Sequence, residues 1–117
     1  MTSSIIKGKS YHFSLEIVKT YKYLNFQQKE YVLARQLLRS GTSIGANIEE
    51  ALGGQSKKDF ISKMSIAYKE ARETNYWIRL LKDSSILEEN KSNVLLLNCD
   101  ELIRIISSIL ITAKNNS

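Results

Sequence analysis

The chain has 117 residues, a formal net charge of +5 and 25% charged residues, with five glycines, one cysteine, one histidine and no proline. An average chain of this length carries about six prolines and eight glycines, so the turn punctuation of an all-β fold is missing and long uninterrupted helices are expected. Lone Cys99 excludes an internal disulfide framework and any multi-cysteine metal site.

A single cysteine also fits a reducing compartment. No stretch approaches about 18 apolar residues, and the start has no apolar core of a secretory signal. A soluble cytoplasmic protein with no membrane partner is expected.

Residues 1–10 read as an N-terminal arm, with Ser10 as the N-cap of a first helix over about 11–25. Phe13, Ile17, Tyr21 and Leu24 recur there at spacings of four and three. A second helix, about 28–52, carries the stripe Ala34, Leu37, Leu38, Gly41, Ile44, Gly45, Ile48, Ala51 and Leu52. It is expected to end at Gly53-Gly54 with a glycine in the left-handed conformation. Gly41 and Gly45 each cost about 1 kcal/mol relative to alanine inside a helix, so a close approach by another backbone or side chain should offset them. Asn47 is a candidate buried amide whose hydrogen bonds fix register, with a solvated amide as the equal alternative.

Ser56, with Asp59 three residues on, reads as the start of a third helix over about 57–83. Its seam is Phe60, Met64, Ala67, Ala71, Ile78 and Leu81. A fourth helix, about 88–114, has the seam Leu95, Cys99, Leu102, Ile106, Ile109 and Ala113. Four helices with short connections predict one all-α domain, an antiparallel up-down-up-down four-helix bundle. In a hairpin turning near residues 53–56, Arg39 should lie near Glu70, and Arg35 near Glu73.

The fourth helix is more apolar than one bundle face requires. Beside its seam stand Val94, Leu96, Leu97, Ile103, Ile105, Leu110 and Ile111. A homo-oligomer interface using Ile103 and Leu110 accounts for the excess, and cover by the N-terminal arm is the alternative.

Catalytic chemistry finds little support. His12 is the only imidazole, Cys99 has no histidine to activate it, and no Glu-x-x-His pair for a di-metal bundle exists. No enzyme activity, no cofactor and no metal are expected. Gly53-Gly54-Gln55-Ser56-Lys57 lacks the spacing and the preceding strand of a phosphate loop.

Charge is the remaining signal. Residues 1–39 hold seven cations (Lys7, Lys9, Lys19, Lys22, Lys29, Arg35, Arg39) against Glu16 and Glu30, which is the whole surplus; residues 40–117 are neutral. Lys19, Lys22, Lys29 and Arg35, interleaved with Tyr11, Tyr21, Tyr23 and Tyr31, are candidate contacts to RNA or DNA: cations neutralise phosphates and aromatic faces stack on bases. A scaffold for a protein partner, with no nucleic-acid binding, is the alternative.

Leu38-Arg39-Ser40-Gly41-Thr42-Ser43-Ile44-Gly45-Ala46-Asn47-Ile48-Glu49-Glu50, Ser56-Lys57-Lys58-Asp59-Phe60 and Ile66-Ala67-Tyr68-Lys69-Glu70-Ala71-Arg72-Glu73-Thr74 occur in that order. Together with Tyr76-Trp77 and Glu101-Leu102-Ile103-Arg104 they resemble the bundle proteins encoded in intervening sequences of bacterial 23S rRNA genes, which are often labelled ribosomal. The resemblance implies an antiparallel four-helix bundle, a homopentameric ring and no known enzymatic activity. It extends more distantly to accessory proteins of diversity-generating retroelements, basic pentamers that bind nucleic acid. In such a ring the surplus would total about +25. The chain departs from many relatives at Phe26-Gln27-Gln28, where they carry a proline, and at Asn47-Ile48-Glu49-Glu50-Ala51, where Glu49 replaces a small residue.

Overall fold

Helices form wherever apolar residues keep returning to one face, and here that holds along nearly the whole chain. In the computed structural model, which describes residues 2–116, α1 spans Thr2–Lys22 and runs into a π-helical turn, Tyr23–Gln27. α2 spans Tyr31–Leu52, α3 Lys57–Asp83 and α4 Glu89–Asn115. Each helix runs antiparallel to the one before, giving the expected up-down-up-down bundle, 47 Å long and 20 Å across. No strand occurs among the described residues.

Contacts along the bundle define its register. Gly41 faces Ile17, and Gly45 faces Ser10 and Ser14, between α1 and α2. The hydroxyls of Ser40 and Thr74 share a 2.9 Å hydrogen bond between α2 and α3. The Cys99 thiol donates to the Ala71 carbonyl (3.3 Å) between α4 and α3, and Lys9 donates to Glu101 (3.2 Å) between α1 and α4. Phe13, Ile17, Leu37, Ile44, Ile48, Met64, Ile78, Leu81, Leu102 and Ile106 fill the core between these contacts.

The structure corrects the reading of residues 1–10 as an arm: residues 2–10 are the first turns of α1, and Met1 lies outside the described residues. Ile6 is fully buried and carries the Phe13 and Ile17 stripe back by another heptad. Ser10 is not a cap. It is buried within the helix and donates to the Lys7 carbonyl (3.1 Å), a bond that conceals a polar residue on an apolar face.

Helix ends follow their caps, with one exception. The Ser56 hydroxyl accepts from the Asp59 amide (3.0 Å) to start α3, and the Glu30 carboxylate accepts from Leu33 (3.4 Å) to start α2. The α2 end differs from expectation: Gly53 has φ −92°, and no described glycine has positive φ. Gly54 instead relieves crowding, because a Cβ there would lie 3.1 Å from the Ala51 carbonyl and 3.5 Å from the Asp59 Cβ. Left-handed backbone falls on Lys29 (φ 55°) and Ser85 (φ 62°) in the other two turns.

Candidate nucleic-acid interface

Lys19 and Lys22 lie in the last turn of α1, where cations complement the negative end of the helix dipole. Beyond them the chain tightens into the π turn, holding Leu24 in the core. The Gln28 amide then bonds the Tyr23 carbonyl (3.1 Å), and the Glu30 amide the Leu24 carbonyl (2.9 Å). With neither glycine nor proline available, Lys29 makes the reversal in the left-handed region, at a cost of about 1–2 kcal/mol. Strain of this kind concentrates at functional sites.

Pairing sorts the seven cations of the first 39 residues. Lys7 meets Glu49 on α2 (3.7 Å), Lys9 meets Glu101 on α4, and Lys19 meets Glu16 one turn back (3.3 Å). Arg39 is engaged by Glu70 and Glu73 on α3. Lys22, Lys29 and Arg35 make no ion pair among the described residues. These three are exposed and lie at the same end of the bundle, on the last turn of α1, the connection and the second turn of α2.

Aromatic residues at this end divide. Tyr23 is half-buried, accepts from the Gln28 side chain (2.7 Å) and carries the Lys91 ammonium 4.7 Å from its ring centre. Tyr21 packs against the core. Phe26 (68% exposed) and Tyr31 (48%) present free faces beside Lys22, Lys29 and Arg35 in the chain. Tyr11 is exposed too, but three turns away along α1. Sequence reasoning passed over Phe26, whose signal was an aromatic residue in a turn, outside any apolar stripe.

Between α1 and α4 runs a groove of about 440 Å³, floored by Leu87 and Leu95 and rimmed by Glu16, Lys19, Thr20, Tyr23, Asn90, Lys91 and Asn98. Lys19 therefore faces α4, while Arg35 stands on α2. The structure places the four predicted cations on one end of the molecule without converging them on a single pocket.

The interhelical expectations are partly corrected. Arg39 donates to Glu70 (3.1 Å) and also to Glu73, so it takes both carboxylates and leaves Arg35 without one. Trp77 donates to the same Glu73 carboxylate (3.1 Å). That indole bond, followed by Arg39, holds the Glu73 carboxyl below its ordinary range, while Glu73 and then Glu70 raise the Arg39 guanidinium. Asn47 is half-buried, but its amide donates to the Ser43 carbonyl of its own helix (2.8 Å) and joins no partner helix. Gly41 and Gly45 do admit a neighbour closely, namely α1.

Leu110 is corrected as an interface residue. At 8% exposure it belongs to the core, and Ile103 is half-buried. The apolar side chains that α4 leaves open are Val94 (59%), Leu97 (67%) and Ile111 (59%). Ile105 and Ile109 are half-buried on the face that Asn98 turns toward α1, whose unexpected first turns lie alongside.

Two reactive side chains are accounted for. His12 lines a small recess with Lys9 and Glu101. Cys99 is fully buried, and that burial pushes its thiol up to about 12. No cluster of three metal-ligating side chains occurs among the described residues, and none of their helices is long and apolar enough to cross a membrane.

A family model of the 23S rRNA-intervening sequence proteins matches residues 2–108. Among solved structures, the chain is similar to a protein of unknown function from the S23 ribosomal protein family of Bacteroides thetaiotaomicron VPI-5482. The two are 44% identical with a TM-score of 0.92, over 94% of this chain and 98% of that one. No curated protein matches. By sequence match and by fold, the chain belongs to the 23S rRNA-intervening sequence protein family.

Proposed function

We propose that this protein is a non-enzymatic, homo-oligomeric bundle, a pentamer, that binds nucleic acid through the end formed by α1, the π turn and the start of α2. The observation that carries this reading is the sorting of charge. Four of the seven N-terminal cations are engaged by carboxylates, and the three left over gather beside exposed Phe26 and Tyr31. Lys29 and Arg35 lie near the positive end of α2, where cations work against the helix dipole, so helix stability does not account for them. Phosphate neutralisation with base stacking on Phe26 and Tyr31 does.

Assembly would repeat this end several times and sum its field. Exposed Val94 and Leu97 on α4 supply apolar surface for such contacts.

Gel shifts with a single-stranded oligonucleotide across a salt series test the reading. Binding should weaken with a log–log slope of about −2 for each protomer engaged, the counterion release expected of three cations on a single strand. The K22E/K29E/R35E variant should lose binding while keeping its helix content. A parent that fails to bind at low salt, or a triple variant that binds undiminished, overturns the proposal. The former outcome favours a scaffold for a protein partner.

A further inference from the structure

We infer that the oligomer proposed above closes head to tail, with the α1–α4 face of one copy docked on the α2–α3 face of the next. The inference rests on that oligomer and names the two surfaces that make it. α1 packs on α2 and α4, and α3 on α2 and α4, while the backbones of α1 and α3 do not approach one another. The α1–α4 and α2–α3 faces are therefore opposite sides of the bundle.

Both faces carry apolar side chains that the fold leaves exposed: Leu15, Val94 and Leu97 on one, Val32 and Leu80 on the other. Val94 lies one heptad before Glu101, the partner of Lys9 on α1, and lines the α1–α4 groove. Leu15 stands one turn before Lys19, which rims that groove. Val32 lies one heptad before Arg39 and Leu80 one heptad after Glu73, the pair that joins α2 to α3.

The two patches stand at the same height. Ser40–Thr74, Asn75–Asp100 and Lys9–Glu101 are hydrogen-bonded and mark one cross-section through all four helices. Leu15, Val32, Leu80, Val94 and Leu97 are four to eight residues from it, all toward the α1–α2 and α3–α4 turns, which is about 6–12 Å at 1.5 Å per residue. Two different patches on opposite faces make a heterologous contact, and equal height removes the rise per copy that would build a filament.

Charge and area agree with this pairing. Lys91, beside Val94 in the groove, and exposed Asp83, three residues after Leu80, make no ion pair among the described residues. Both stand about 14–15 Å from the same cross-section, so docking brings an unpaired ammonium toward an unpaired carboxylate. A side of the bundle measuring 47 by 20 Å offers about 900 Å², against the roughly 800 Å² per partner of a standard interface. Closure leaves the α1–α2 sides of all copies on one wall of the ring.

Thiol cross-linking of the full chain with a bismaleimide too short to cross the 20 Å bundle tests the surfaces. L80C/V94C should give a ladder of covalent dimers, trimers and larger species on a denaturing gel, because each contact holds one thiol from each face. L80C, V94C and the parent should each run as single chains, Cys99 being buried. D83K should raise several-fold the protein concentration at which the oligomer dissociates, and K91E/D83K should recover it. Both replacements suit the helix dipoles at their positions, so helix stability does not account for the loss. With an oligomeric parent by light scattering, this inference is overturned and the oligomer stands if V94C alone gives a dimer, if the double variant gives no ladder, or if D83K dissociates as the parent does or is not rescued. A monomeric parent overturns the oligomer and the inference together.

Discussion

Gly41 and Ile17 compete for one volume: a Cβ on Gly41 would fall 2.8 Å from Cγ1 and Cγ2 of Ile17 and 3.0 Å from its Cδ1. Ile17 is fully buried and cannot swing aside, so the absent side chain is what lets α1 dock on α2. Gly41→Ala should therefore destabilise the bundle by about 1–2 kcal/mol, overpacking outweighing the gain in helix propensity. Gly45→Ala should be closer to neutral, since its tightest neighbour, the Ser14 hydroxyl at 3.2 Å, can rotate. Urea midpoints of both variants, and partial recovery of the first by Ile17→Val, check this.

The Glu73 cluster predicts a pH response with a definite sign. Bonds from Trp77 and Arg39 hold the folded carboxyl below its ordinary value of 4.5, so their stabilisation is present above that value and is lost as pH falls through the lowered one. With side chains 50% and 38% exposed, the Arg39–Glu73 pair contributes only about 0–1 kcal/mol. Trp77 emission should change over the same acid range, and Glu73→Gln should remove that change.

Cys99 should resist alkylation. Raising a thiol from 9.0 to about 12 lowers its thiolate fraction at pH 8 roughly a thousandfold, and burial excludes the reagent as well. Iodoacetamide should label the native protein only at the rate of local or global opening, and mild urea should speed the reaction. Rapid labelling in native buffer would refute the buried placement.

Lys29 holds a left-handed conformation at the turn, so its replacement separates strain from function. Lys29→Gly should raise stability by about 0.5–1 kcal/mol, a few degrees in melting temperature, because glycine avoids the Cβ clash and returns only part of that gain as chain entropy. The same variant should weaken oligonucleotide binding. Stability lost together with binding would show that the side chain serves the fold.

Assembly is checked by light scattering on a sizing column, with a mass of five times 13.4 kDa expected for the parent. Leu97→Asp should lower that mass, because it charges the most exposed apolar side chain of α4. Leu110→Asp should instead unfold the chain, since Leu110 sits in the core.

The helices were legible because they depend on near neighbours. The stripe through Gly41 and Gly45, the seam from Leu95 to Ile106 and the Ser56 cap are all local, and each appears in the bundle. Two local features stayed hidden. Ile6 continues the α1 stripe, but Lys7, Gly8, Lys9 and Ser10 interrupt the pattern with polar or helix-weakening residues, and only the α2 and α4 groups alongside, Glu49 and Gly45 on one and Glu101 on the other, explain why they are helical. The expected left-handed glycine failed at Gly53 for a related reason: α3 begins so close to the end of α2 that Gly54 answers crowding rather than backbone sign.

Charge shows the division most clearly. The order of charges along the chain determined that the surplus of five lies in the first 39 residues, and periodicity determined that the stretches 11–25 and 28–52 are helical, but not residues 2–10. Which cations remain free depended on acids far away in the chain: Glu49 reaches Lys7, Glu101 reaches Lys9, and Glu70 with Glu73 both take Arg39 and leave Arg35 open. Helix periodicity is set within a few residues, whereas ion pairing and groove lining require helices distant in sequence to meet, and the register of that meeting is a property of the packed core.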